Sequence, residues 1–360
     1  MKILMLSLDG SILDKNSSSA GRMRDYGSIC DELHIIILGK SGEKNNLDKN
    51  IFVYPTSGNR LAALLKAKNI GSKILSVKDE WVITSQDPFE TGFIGWLLAQ
   101  KYKIGLEVQL HGDLYGNKYW KNERLLNRFR WYLGKFILRR ATFVRVVSER
   151  TRRSIEEINK NITTVPIFTE RKELIKTQKD NNDFIILSVG NLVPVKNHKQ
   201  LIEAFAEIKK QLPNAKLIIA GEGWLKKSLQ LLVRNLQLGE SVAFIGYQTN
   251  LDKYYGEADI FVHSSLYEGW GRAVIEAVFC GLPIIMTDVG LADEVIKNEE
   301  SGLVVPVNDK EALKEAILRL AKDRGLANRL AQNARLVIEN ILLTKEEYLN
   351  KIKEIWNKIQ

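Results

Sequence analysis

Short apolar runs alternate with stretches of helical period along both halves of this 360-residue chain. That pattern admits few folds. Residues 2–8, 34–38, 51–54, 81–84, 106–110, 142–147 and 163–167 read as strands. Helices are expected between them, near 22–31, 59–67 and 92–102, then as a long basic helix, and finally as one capped by Ser148 before Glu149. In 59–67, Leu61, Leu64 and Leu65 share a face. A polar loop, 9–20, follows the first strand. Strands that are nearly continuously apolar and alternate with helices predict a parallel sheet covered on both faces. The polar stretch 169–182 reads as a linker, and the alternation restarts at 184–189. A helix over 199–210 puts Leu201, Ile202, Phe205 and Ile208 on one stripe. A strand at 215–220 precedes a helix with Leu225, Leu229, Leu232 and Leu236 on one face. A strand at 242–245 and helices near 309–321 and 326–337 follow. The length suits two domains, 1–170 and 183–340. The last stretch, 345–358, is amphipathic through Tyr348, Ile352, Ile355 and Trp356.

The second half centres on 264–288, SSLYEGWGRAVIEAVFCGLPIIMTD. A strand over 259–262 leads to a loop with Glu268, Gly269, Trp270 and Gly271. A helix from Arg272 to Cys280 follows, and Gly281 with Pro283 ends it. Another strand spans 283–286. The helix is apolar nearly all round, so it is expected to be buried, and Glu276 is its only acid. An unpaired buried carboxylate is costly, so Glu276 calls for a partner, either a neighbouring loop or a ligand. The helix N-terminus offers free N–H groups suited to phosphate. Upstream, Gly190, Asn191 and Lys196 form a loop between strand and helix, where a cationic side chain can meet phosphate.

Glu268-Gly269-Trp270-Gly271 followed by Glu276 resembles the E-x7-E signature of the retaining GT-B glycosyltransferases of group 1, also called family 4. The loop at Gly190 resembles that family's G-R-L-x-x-x-K-G segment, with Asn191 at the usual Arg and Asn197 at the second Gly. The resemblance implies an α/β fold of GT-B architecture, two Rossmann-like parallel-sheet domains facing across a cleft. The final helix would return to the first domain. It implies that Glu276 holds the ribose hydroxyls and that Glu268 lies near the donor sugar. Lys196 would hold the diphosphate, with help from Arg272, and the N–H groups of Gly269, Trp270 and Gly271 would contact sugar or diphosphate. Tyr247 would stack on the base, although a surface aromatic would look the same. His111, at a strand end beside Gly112 and Asp113, would touch the donor sugar. Asp9, Gly10 and Gly21 could shape the acceptor side. Ser148, Glu149 and Arg152 resemble an interdomain segment. His34, His198 and His263 are read as structural.

The net charge is +10, and it is concentrated. Residues 118–153 hold twelve Lys or Arg against Glu123 and Glu149, interleaved with Tyr119, Trp120, Phe129, Trp131, Tyr132 and Phe136. Such a segment suits an anionic membrane surface, or else is a solvated face with its aromatics in the core. Nucleic acid is not expected as a partner, since the two acids would repel it. No apolar run reaches the roughly 18 residues of a membrane span. The start of the chain meets Asp9 too early for a signal peptide. Cys30 and Cys280 fit no metal spacing and are read as reduced thiols, one in a helix and one buried. The expected location is the cytoplasm, peripheral to the inner face of the membrane. No Asp-x-Asp pair is placed to bind a divalent metal, so cationic side chains and a helix dipole would neutralise the leaving group. The expected activity is transfer of a sugar from a UDP- or GDP-linked donor to a glycan or lipid-linked hydroxyl, with retention, in cell-envelope synthesis. The alternatives are a nucleotide-sugar epimerase or sugar phosphorylase of the same architecture, and, less so, a nucleic-acid-binding protein.

Overall fold

The computed structural model describes residues 1–77, 79–169 and 182–360. Its backbone divides into two units: Met1–Phe168 with Leu343–Gln360, and Thr169–Leu342. The expected linker at 169–182 lies, from 170 to 181, outside the described residues.

The first unit is built on eight strands: β1 (Lys2–Ser7), β2 (Glu32–Leu38), β3 (Asn45–Asp48), β4 (Ile51–Thr56), β5 (Trp81–Ser85), β6 (Leu106–Leu110), β7 (Phe143–Val146) and β8 (Ile162–Thr164). Their order is β3-β4-β2-β1-β5-β6-β7-β8. All neighbours are parallel except β3 and β4, which pair antiparallel at the edge. The helices are α1 (Ser18–Gly27), α2 (Arg60–Leu75), α3 (Glu90–Tyr102), α4 (Lys118–Glu123), α5 (Leu125–Leu138), α6 (Glu149–Ile155) and a late α13 (Lys345–Ile359). Cores lie on both faces of the sheet, and Tyr348, Ile352, Ile355 and Trp356 of α13 complete one of them beside Tyr26 and Ile35. Thr344 and Glu347 close α13 reciprocally at its start. The Tyr26 and Tyr348 hydroxyls meet at 2.7 Å.

Several local expectations are corrected. α1 starts at Ser18, because Ser17 accepts from the N–H of Ala20 and caps it; Cys30 therefore lies past the helix rather than inside it. Leu61 and Leu65 are exposed, and α2 instead buries Ala63, Ala67, Gly71 and Leu75. Small residues every fourth position let α2 approach closely: a Cβ on Gly71 would sit 2.5 Å from Leu98 Cδ1. The long basic helix is two helices, parted where Arg124 turns extended (φ −146°, ψ 146°). Asn127 Nδ2 then donates to the Trp120 carbonyl at 2.9 Å and fixes the corner.

Among the described residues the second unit has six strands, all parallel: β9 (Phe184–Val189), β10 (Ala215–Ala220), β11 (Val242–Gly246), β12 (Ile260–His263), β13 (Ile284–Thr287) and β14 (Leu303–Val305), in the order β11-β10-β9-β12-β13-β14. Its helices are α7 (His198–Gln211), α8 (Lys226–Asn235), α9 (Asp252–Glu257), α10 (Arg272–Phe279), α11 (Lys310–Lys322) and α12 (Arg324–Ile341). The α7 stripe of Leu201, Ile202, Phe205 and Ile208 packs in one core with β9, β10 and α11. α8 buries Leu229 and Val233, while Leu236 is exposed.

Candidate functional site

In the second unit, four strands end on loops that touch one another. The loop after β9 turns through Pro194–Lys196 and is bonded to two others. Leu192 N donates to Glu222 O at 2.9 Å, and Leu266 N donates to Val195 O at 2.7 Å. Ser264 Oγ donates to the Lys196 carbonyl at 2.9 Å. The approach is closest at Gly221, whose φ is +141°; a Cβ there would lie 2.1 Å from the Gly190 carbonyl oxygen. Asn197 has φ +50°. Asn tolerates that left-handed region, so it can replace the glycine of the family segment without breaking the turn.

This meshwork delivers Lys196 Nζ onto Glu268 Oε2 in a direct ion pair. His263, the last residue of β12, places Nε2 3.3 Å from the same oxygen, an electrostatic contact without hydrogen-bond geometry. Burial opposes ionisation of Glu268, but His263 and Lys196 outweigh it and hold the carboxyl well below its ordinary range. The His263 imidazole is lowered by burial first, with Glu268 opposing and Lys196 adding to the fall. His198, at the start of α7, is pushed down to about 4, chiefly by burial, and its Nε2 faces the Gly190 carbonyl at 3.4 Å. Glu268 Oε1 accepts from the N–H of Gly269 at 3.2 Å. That N–H, expected to serve a ligand, thus has an internal partner.

α10 starts from Gly271 at φ +85°, with no side chain capping it. The first-turn N–H groups of such a helix have no intrahelical acceptor, and the helix dipole adds positive potential. Trp270, just before it, is fully buried with an indole N–H that lacks an acceptor.

Glu276 is not the buried, unpartnered acid that the apolar helix suggested. Its side chain is 34% exposed, because positions 272, 273 and 276 share the one open edge of α10. The Tyr255 hydroxyl donates to Oε2 at 3.0 Å, and Arg272 Nη2 lies 3.7 Å from Oε1. Burial first, and the Glu276 charge second, raise the Tyr255 hydroxyl well above its ordinary pKa. Tyr247 follows β11 with its ring 73% exposed. Of the residues expected to bind donor in this unit, the structure joins Gly190, Lys196 and Glu268, and pairs Arg272 with Glu276. His263, read from the sequence as structural, is a lone polar residue at the end of an apolar strand, and Tyr255 lies in the polar stretch 252–257 with no motif around it.

In the first unit, His111 follows β6 and its Nε2 lies 3.0 Å from Gln109 Oε1. It reaches solvent, yet enough protein surrounds it that desolvation leads the causes, followed by Arg145 and Arg22, with Glu107 opposing; together they lower it to about 4. Asp9 caps the turn Gly10–Leu13 and accepts from Ser19 Oγ at 2.7 Å. Ser148 caps α6 through the N–H of Thr151, and Arg152 pairs with Glu149 at 3.3 Å. Gly21 has open space where a Cβ would stand.

The family described as "Glycosyl transferases group 1" matches residues 169–337. Among curated relatives, a Campylobacter jejuni protein named "N-acetylgalactosamine-N,N'-diacetylbacillosaminyl-diphospho-undecaprenol 4-alpha-N-acetylgalactosaminyltransferase" is 33% identical over 172 residues, 48% of this chain and 44% of that one. The chain spans about half the length, or less, of the first curated relatives it matches. Among solved structures, sucrose-phosphate synthase from Thermosynechococcus elongatus superimposes with a TM-score of 0.81 at 22% identity, covering 99% of this chain and 98% of that one. Anabaena Alr3699/HepE, solved in complex with UDP and glucose, gives 0.79 at 17% identity, covering 99% of each. The two structural likenesses show the fold, GT-B with two Rossmann-like units. The group 1 match thus covers the second unit, and the likeness of the whole chain to the solved structures is one of fold.

Proposed function

We propose that this chain is a retaining glycosyltransferase, moving a sugar from a UDP- or GDP-linked donor to a hydroxyl of a glycan or lipid-linked acceptor in cell-envelope polysaccharide or glycolipid synthesis. The observation that carries this reading is the Lys196–Glu268 pair set before the uncapped start of α10, one helical turn from Glu276. A diphosphate placed there meets an ammonium and a helix dipole, while a ribose can hydrogen-bond to the carboxylate of Glu276. We assign neutralisation of the leaving group to those groups, without a metal ion. Support comes from the Campylobacter relative, whose name includes a diphospho-undecaprenol, and from the Anabaena structure, which holds UDP and glucose. The test is thermal unfolding with UDP, GDP and ADP, each in EDTA. One nucleotide should raise Tm by several degrees, since ligand binding to the native state stabilises it by mass action. Equal Tm with all three would remove the donor site.

The acceptor unit is proposed to rest on an anionic membrane. Leu125 is 82% exposed, Phe129 65% and Tyr132 64%, on α5 among Arg124, Arg128 and Arg139. Trp120 is buried, stacked on Phe89, and Trp131 takes Lys121 and Lys135 over its ring. The segment therefore divides its aromatics between core and surface. No helix among the described residues is long and apolar enough to cross a membrane. At low salt the protein should pellet with phosphatidylglycerol vesicles, and Phe129→Ser should weaken this. A protein that stays in the supernatant has no such surface.

A further inference from the structure

A line of buried side chains in the first unit runs along the sheet to His111. At its foot is Glu107 on β6, wholly buried. Arg145 Nε donates to its Oε1 at 2.6 Å, and Trp356 Nε1 of α13 donates to Oε2 at 2.9 Å. Thr84 Oγ1 of β5 lies 2.6 Å from Oε2. Gln109 Nε2 lies 2.8 Å from Thr84 Oγ1, and Gln109 Oε1 lies 3.0 Å from His111 Nε2.

The foot of this line fixes the direction of every bond above it. Burial opposes the charge on Glu107, but Arg145, Thr84 and Trp356 overcome it and keep the group ionised. A carboxylate has no proton to give, so the Thr84 hydroxyl donates its single proton downward. The Thr84 oxygen can then only accept, which orients the Gln109 amide with NH2 toward Thr84 and oxygen toward His111. That oxygen also only accepts, so the hydrogen between them belongs to His111 Nε2.

We propose that Glu107, Thr84 and Gln109 are positioning residues that hold His111 in the Nε2–H tautomer, leaving the Nδ1 lone pair to accept from a ligand hydroxyl. The tautomer follows from the hydrogen-bond chain alone; only the identity of the hydroxyl, on a sugar, rests on the transferase reading above. With a pKa near 4, His111 Nδ1 takes a hydrogen bond at neutral pH and not a proton. The buried relay thus assigns it to orientation of a hydroxyl and not to general-base work.

The test is a long-range 1H–15N correlation spectrum of the full chain labelled at histidine, at neutral pH and without ligand. His111 should show a pyrrole-type Nε2 and a pyridine-type Nδ1. Thr84→Val frees the amide to turn and should move both nitrogens toward averaged shifts, while Thr84→Ser restores the wild-type pair. Gln109→Leu removes the acceptor and should average them as well. Wild-type His111 protonated at Nδ1, or spectra unchanged in both Thr84→Val and Gln109→Leu, would overturn the proposal. Under the transferase reading, Thr84→Val should also lower kcat/KM for donor sugar about tenfold, the loss of one hydrogen bond. An altered tautomer with unaltered kcat/KM would support the relay and remove His111 from the sugar site.

Discussion

Lys196→Ala is expected to lower turnover about 10²- to 10³-fold at saturating donor, the range found when one preorganised stabiliser of developing charge is removed. In the proposed transfer charge builds on the diphosphate as the sugar leaves, and Lys196 is the cation that the loop after β9 brings onto Glu268, ahead of α10. Glu268 is affected too. Without the ammonium, its carboxyl loses one of the two groups that hold its pKa down against burial. The folded-state pKa therefore rises, and the acid limb of the pH–rate profile should move to higher pH. Lys196→Arg keeps the charge and should recover part of the rate. Steady-state kinetics across pH in the three proteins checks this, with urea unfolding to confirm that each is folded. Wild-type turnover in Lys196→Ala would return the residue to an ordinary loop position.

Glu276→Ala is expected to weaken nucleoside-diphosphate binding about tenfold to a hundredfold, since a hydrogen bond to a charged group contributes roughly 1.5–3 kcal/mol. The structure sharpens this expectation. Glu276 sits on the open edge of α10, oriented from below by Tyr255 and from the side by Arg272, so it can receive a ligand hydroxyl without first being uncovered. Tyr255→Phe removes one of those supports while sparing the carboxylate, and should cost less. Calorimetric titration with UDP and GDP separates the cases. Unchanged affinity in Glu276→Ala would place the nucleotide elsewhere.

Much of this site could be read in the chain because its chemistry is local. Glu268, Gly269, Gly271 and Glu276 lie within one loop and one helix, so spacing alone brings them near the same N-terminus. What the spacing does not show depends on how the chain folds back on itself or pairs across the sheet. His263 gains its contact only because the loop after β12 folds its own Glu268 back over the strand end. Glu107 looks like a misplaced charge in an apolar strand until β7 supplies Arg145 beside it and α13 supplies Trp356. The face of α2 was misjudged for a related reason. Leucines draw attention by size, whereas the helix is sited by Ala63, Ala67 and Gly71, whose smallness matters only once Leu98 is against them. The edge strand β3 has little apolar content to announce it, and it pairs through its backbone.

The helix α13 has a consequence for synthesis. Trp356 and Tyr348 fill a core whose other walls, β1 and β2, leave the ribosome more than three hundred residues earlier. Until the last turns emerge, Glu107 lacks one of its donors and Tyr26 lacks its hydroxyl partner. The earliest-made part of the protein must therefore wait, incompletely closed, while the whole intervening unit is translated and free to fold. Nascent chains halted before residue 345 should hold a protease-resistant second unit beside a still-digestible first one.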